Sequence, residues 1–198
     1  MEITTGEKIL DAALASFAEN GYQGTNLRDL AAGMGLSKSA LYRHYAGKEA
    51  IWNAVLDRME AYYAERFGSA QNPPAVPGDC AQLKALTLRM LAFTMHDERV
   101  ILSRKLLLRE QFREERVRRL ATAHFQTDVA ALFAGLFAGM MENGSLRQDD
   151  PAMLAFAYTA PITALVHLRD REPEREPEIL QRVQAFIDHF TQTYGGKR

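Results

Sequence analysis

Between Leu30 and Lys48 the sequence places Lys38, Arg43, His44 and Lys48 beside Ser39 and Tyr42, with not one carboxylate among them. The whole chain holds 25 acidic side chains against 24 lysines and arginines, so an acid-free run of this length is a local choice of sign. Ammonium, guanidinium and hydroxyl donors without an acid suit a polyanion, because a carboxylate facing phosphates is repelled while each cation releases condensed counterions. A merely solvated helix face would mix both signs. The sum over residues 1–48 is uninformative: Lys8, Arg28, Lys38, Arg43 and Lys48 balance Glu2, Glu7, Asp11, Glu19 and Asp29. Distribution carries the reading.

Other chemistries find less support. The histidines at 44, 96, 124, 167 and 189 make neither an HExxH motif nor zinc-ligand spacing. His124 and Asp128 lie one turn apart, a spacing more usual for surface or capping pairs than for metal ligands. Cys80 stands alone, which excludes an intrachain disulfide and a four-cysteine site. No glycine loop is of phosphate-binding type. No catalytic residue, metal ligand or cofactor is expected, and the chain does not read as an enzyme.

The acid-free surface needs elements to hold it. Helical period dominates, with no alternating strand and no Asn-Gly or Asp-Gly hairpin, which predicts an all-α fold of about nine helices. The first follows Thr4 or Thr5 and stops at Asn20-Gly21. Thr25-Asn26 cap the second, Gly35 supplies a tight turn that a bulky residue resists, and Ser37 caps a third from Lys38 to about Tyr45. On that third helix Leu41 and Tyr45 point into a small core, while Lys38, Ser39, Tyr42 and Arg43 share the outward arc. Gly47 opens the fourth helix.

Three prolines and two glycines between Gly68 and Asp79 break the helical pattern, and Asp79 with Gln82 resembles a capping box for helix five. One long helix is expected from about Glu114 to Glu142. Asp150-Pro151 opens the next, with a kink expected between Ala157 and Pro161. No run approaches the roughly 18 apolar residues that span a bilayer, and MEITTGEK lacks a signal-peptide core. A cytoplasmic protein is the expectation.

The segment from Gly21 to Val55 resembles the DNA-binding domain of TetR-family (tetracycline-repressor-like) transcriptional regulators. The resemblance rests on Gly21-Tyr22, Thr25-Asn26, Leu30-Ala31, Gly35-Leu36-Ser37, Leu41-Tyr42-Arg43-His44-Tyr45 and Lys48-Glu49 at fixed offsets. Tyr45 in place of the usual Phe, and Gly33 in place of a common Ala, are the departures. The resemblance implies a helix-turn-helix domain over 1–48 and a helical ligand-binding and dimerisation domain over 49–198, helix four (48–67) connecting them. It implies that Thr25, Asn26, Tyr42, His44 and Lys48 meet DNA, with Lys48 and the start of helix four gripping a phosphate. Arg28, Lys38, Ser39 and Ala40 are the base-facing positions.

By the same resemblance the partners are a double-stranded operator, a second copy of the chain and a small-molecule effector. Ile162, Val166, Ile179, Val183, Phe186, Ile187 and Phe190 are the expected dimer interface. Tyr62, Tyr63, Phe67, Met90, Phe93, Thr94, Phe112, Phe125 and Phe156 are ligand-pocket candidates, although such a stripe is more often ordinary core. The competing reading is a helical small-molecule-binding dimer that no longer reads DNA.

Overall fold

The computed structural model describes residues 4–69 and 71–196, with side chains at residues 63 and 64 excepted. Ten α-helices run in order among the described residues: α1 Thr5–Gly24, α2 Leu27–Gly33, α3 Lys38–His44, α4 Lys48–Phe67 and α5 Cys80–His96, then α6 Glu98–Glu110, α7 Glu115–Thr122, α8 Asp128–Glu142, α9 Pro151–Arg171 and α10 Glu176–Tyr194. A π-helical turn, Ala123–Thr127, joins α7 to α8. Residues 115–142 are therefore one continuous helical stretch, as expected, carrying an inserted turn that its sequence does not announce.

Local chemistry explains the boundaries. Thr4 closes a capping box on α1: its N–H donates to Glu7 Oε2 at 2.7 Å and its hydroxyl oxygen accepts the Glu7 N–H at 3.3 Å. Gly21 sits inside α1 at φ 70, ψ 174, so the expected stop is a kink followed by one further turn. Glycine suits that site because φ 70 lies in the left-handed region that side chains resist.

After α2 the chain makes a Schellman turn. Gly35 at φ 67 lets its N–H reach Ala32 O at 3.0 Å, and Leu36 N–H reaches Ala31 O at 2.9 Å. At α5 Asp79 accepts the Gln82 N–H at 2.8 Å, while the Gln82 side chain reaches Gly78 N–H, one residue before the cap. Asp150 caps α9 through the Ala152 and Met153 amides. α9 is one continuous helix with Pro161 inside it.

The chain divides into two compact units. The first takes the residues up to Glu65 together with Glu98–Ala121, so it is larger than the reading head expected over 1–48. In it α1 packs on α6 and α2, and α2 on α3. Its core is Ile9, Phe17, Leu41, Ile51, Trp52, Val55 and Leu56, each at most 2% exposed.

The second unit holds Arg66–Asp97 and the chain from Thr122 on. α8 packs on α9, α9 on α10, and α5 touches both α9 and α10. Tyr158 is its centre, with the rings of Phe133, Phe137, Phe186 and Phe190 at 5.2, 5.4, 5.7 and 4.6 Å. Burial pushes the Tyr158 phenol well up, so it stays neutral, and it shares a 2.8 Å hydrogen bond with Thr87.

This packing corrects the expected dimer stripe. Ile179, Val183, Ile187 and Phe190 are buried within their own unit, as is Val166. Within the chain, α5, α8 and α9 pack against the α10 stripe. Ile162 and Phe186 alone of the seven keep partial exposure. A second correction concerns α9. Its 21 residues are long and apolar enough to cross a membrane by length and composition, and only 28% of its most apolar window is buried. One face holds Leu154, Ala155, Tyr158, Thr159 and Val166 in the core. The other leaves Met153 and Phe156 each 63% exposed.

Candidate nucleic-acid interface

α3 carries its two faces as its spacing requires. Leu41 is fully buried, and the Tyr45 hydroxyl donates to Gly6 O at 3.4 Å, fixing the helix end against α1. Burial pushes the Tyr45 phenol up. Lys38, Ser39, Tyr42, Arg43 and His44 are exposed and Ala40 half-exposed. Ser37 accepts the Ala40 N–H at 3.1 Å and shares a 3.0 Å hydrogen bond with Ser39. Lys38 Nζ lies 5.6 Å from the centre of the Tyr42 ring. Among the described residues no carboxylate pairs with Arg28, Lys38, Arg43 or Lys48.

Lys48 is held differently. Its ammonium donates to Gln23 O at 3.3 Å and stands 4.7 Å from the Tyr22 ring centre. Partial burial, with the nearby Arg113 charge, holds Lys48 below the usual lysine range. A phosphate arriving there would supply the missing opposite charge. Tyr22 is itself clamped. The Arg113 guanidinium lies 3.7 Å from its ring centre, Trp52 stands edge-on at 5.1 Å, and the Tyr22 N–H donates to Glu110 at 3.2 Å. Trp52 donates to Glu114 at 2.8 Å. The segment joining α6 to α7 therefore fixes the base of the Lys48 side chain. Sequence reading missed Tyr22, Glu110 and Arg113 in this role, because they meet only through long-range packing.

Two of the expected contacts are committed elsewhere. Thr25 is 3% exposed, its hydroxyl donating to Gly21 O at 2.9 Å and bonding Ser16 Oγ at 3.1 Å. It fastens the end of α1 and offers no group to a phosphate, which corrects the expectation. Asn26 caps α2, its Oδ1 accepting the Arg28 N–H at 2.8 Å, and the residue stays exposed. Arg28 is exposed beside it.

The nine pocket candidates divide between the two units. Phe112 is 90% exposed and Phe156 63%, so neither lines a cavity. Tyr62 belongs to the first unit, with Arg99 over its ring at 5.4 Å. Met90 is core, Thr94 bonds Met90 O, and Phe125 stacks edge-on against His167 at 5.0 Å. The Tyr63 side chain lies outside the described residues. Phe67 and Phe93 do share a cleft in the second unit, lined with Arg66 and Arg89. Arginines were not among the candidates, since a search for apolar stripes passes over them.

Known proteins resemble the chain in the same places. Residues 9–55 match the family described as bacterial regulatory proteins, tetR family. The negative transcriptional regulator IcaR of the biofilm operon icaADBC, from Staphylococcus epidermidis, is 36% identical over 59 residues, covering 30% of this chain and 32% of IcaR. The transcriptional repressor KstR2 of Rhodococcus jostii is 26% identical over 172 residues, 84% of this chain and 79% of KstR2. In matches such as that to IcaR, the chain spans about a third of the length of the curated relatives. The solved structure of SmeT, repressor of the Stenotrophomonas maltophilia multidrug efflux pump SmeDEF, shares the fold with a TM-score of 0.67 at 23% identity, over 98% of this chain and 92% of SmeT.

Proposed function

We propose that this chain, which carries over residues 9–55 the N-terminal domain of the bacterial regulatory proteins of the tetR family, represses transcription by binding a pseudo-palindromic operator as a homodimer. The observation that carries the reading is the acid-free exposed face of α3 with Lys48 beside it, cations without a carboxylate partner on a rigidly capped helix. A two-turn helix suits the major groove. Lys38, Ser39, Ala40 and Arg28 read base edges, and Tyr42, His44, Asn26 and Lys48 position the head on phosphates. IcaR, KstR2 and SmeT are each named as a repressor or negative regulator, which supports repression as the sign of control.

A single two-turn reading helix contacts few bases, and a twofold dimer doubles the count on a matching half-site pair. The self-pairing surface we assign is the outward face of α9, where Met153, Phe156, Ala157, Ala160 and Ala164 recur at helical spacing and stand exposed. Small residues let two such helices approach closely. A lipid environment is a poorer match, because the opposite face of α9 is built into the core around Tyr158. Small-molecule release is the remaining part of the reading, supported by a solved complex of SmeT with triclosan. Differential binding of a few kcal/mol between two dimer states suffices for it.

Selection from random duplexes at moderate salt tests the proposal. A pseudo-palindromic site should be enriched, and Tyr42→Ala or Lys48→Ala should weaken the enrichment. A pool that stays random under wild-type protein contradicts it.

A further inference from the structure

In the second unit, a cleft of about 390 Å³ is lined by Arg66 and Phe67 from the end of α4 and by Arg89 and Phe93 from α5. That volume falls in the range of small-molecule sites. Phe67 and Phe93 meet edge to face at 5.2 Å, and Phe67 is buried, so the floor is aromatic. The Arg66 guanidinium lies 5.8 Å from the centre of the Phe93 ring, at the rim.

The two arginines are unlike most in the chain. Arg58, Arg99, Arg113, Arg116, Arg169 and Arg175 each hold a carboxylate. Among the described residues neither Arg66 nor Arg89 does, and no acidic side chain lines the cleft. A cation in the last turn of α4 also complements the helix dipole, which accounts for Arg66. It does not account for Arg89, which lies in the body of α5. One guanidinium over the Phe93 ring and a second arginine in the lining, with no acid among the described residues to satisfy them, match one ligand chemistry. A planar or tetrahedral anion can take paired N–H donors from each fork, while its apolar body lies on the rings.

We propose that this cleft binds an amphipathic organic anion, a carboxylate or phosphate head on an apolar body, as the effector of the regulator. The identification as effector rests on the repressor reading above; binding itself does not. Calorimetry on the full chain with decanoate and decyl phosphate, against decanol and decyltrimethylammonium, tests it. Both anions should bind, and the alcohol and the cation should bind at least tenfold more weakly. Arg66→Gln and Arg89→Gln, both at exposed positions, should each lower anion affinity about tenfold, and Arg89→Gln should leave the thermal midpoint unchanged.

Equal binding of decanol, anion binding unaffected by the two variants, or no anion binding up to millimolar concentration overturns the proposal. Operator release is read separately, on the selected duplex. Arginine-dependent anion binding without release leaves the site standing and removes the effector role. Release by a neutral ligand, indifferent to both arginines, leaves the repressor reading standing and removes the site.

Discussion

Individual side chains in the reading head divide into those that face outward and those that hold the frame. Thr25 and Asn26 are adjacent and chemically similar, yet one is buried against Gly21 and Ser16 and the other stands exposed. Thr25→Val should therefore cost about 1–2 kcal/mol of stability, the loss of buried hydrogen bonds, in chemical denaturation. DNA affinity per folded molecule should stay unchanged. Gly35→Ala forces a Cβ into a left-handed conformation, at about 1–2 kcal/mol, and the same chemical denaturation should report it. The outward set on α3 was legible in the sequence because capping and helical spacing are local. The inward turn of Thr25 was not, since the 2.9 Å bond to Gly21 O exists only once α1 kinks at a glycine with positive φ.

At the level of elements, α10 teaches the same lesson with a different outcome. Its stripe from Ile179 to Phe190 correctly announces a buried face. Periodicity states only that a face is buried and never against what, so own core and partner were indistinguishable until α5, α8 and α9 were placed. The core they form contains a buried hydrogen bond between Tyr158 and Thr87. Tyr158→Phe removes the hydrogen bond to Thr87, whose hydroxyl keeps Leu83 O as acceptor at 2.9 Å. The expected loss is about 1 kcal/mol, measurable by denaturant titration.

The start of α10 is tied to the end of α5 by Glu176, which accepts from His96 at 2.7 Å and from Arg169 at 2.9 Å. The His96 hydrogen bond, with Arg169 behind it, holds the Glu176 carboxyl below the usual carboxylate range. A depressed carboxylate contributes stability above its unfolded pKa, and that contribution disappears as pH falls through the folded value. Thermal melts of Glu176→Gln should consequently trail wild type at neutral pH and converge with it in strong acid. A constant gap across that range would contradict the assignment. The π turn between α7 and α8 left no sequence signal of its own, and the cleft at Arg66 and Arg89 was hidden for a related reason. An exposed arginine such as Arg66 reads as solvated until the ring it covers is known.

For the whole molecule, the exposed apolar face of α9 and the cationic face of α3 call for partners of opposite character. Phe156→Glu, at a site 63% exposed, should leave the fold intact and shift sedimentation from dimer to monomer, weakening operator binding with it. An unchanged sedimentation coefficient would move the pairing surface elsewhere. The central claim is that the acid-free face exists to meet phosphates. Its most direct measurement is the salt dependence of affinity for the selected duplex, wild type against Lys48→Ala, between about 50 and 200 mM salt. Each phosphate contact removed lowers the log–log slope by about 0.9, so a dimer losing two should fall by roughly 1.8. Parallel lines of equal affinity would show that Lys48 meets no phosphate and would contradict the account.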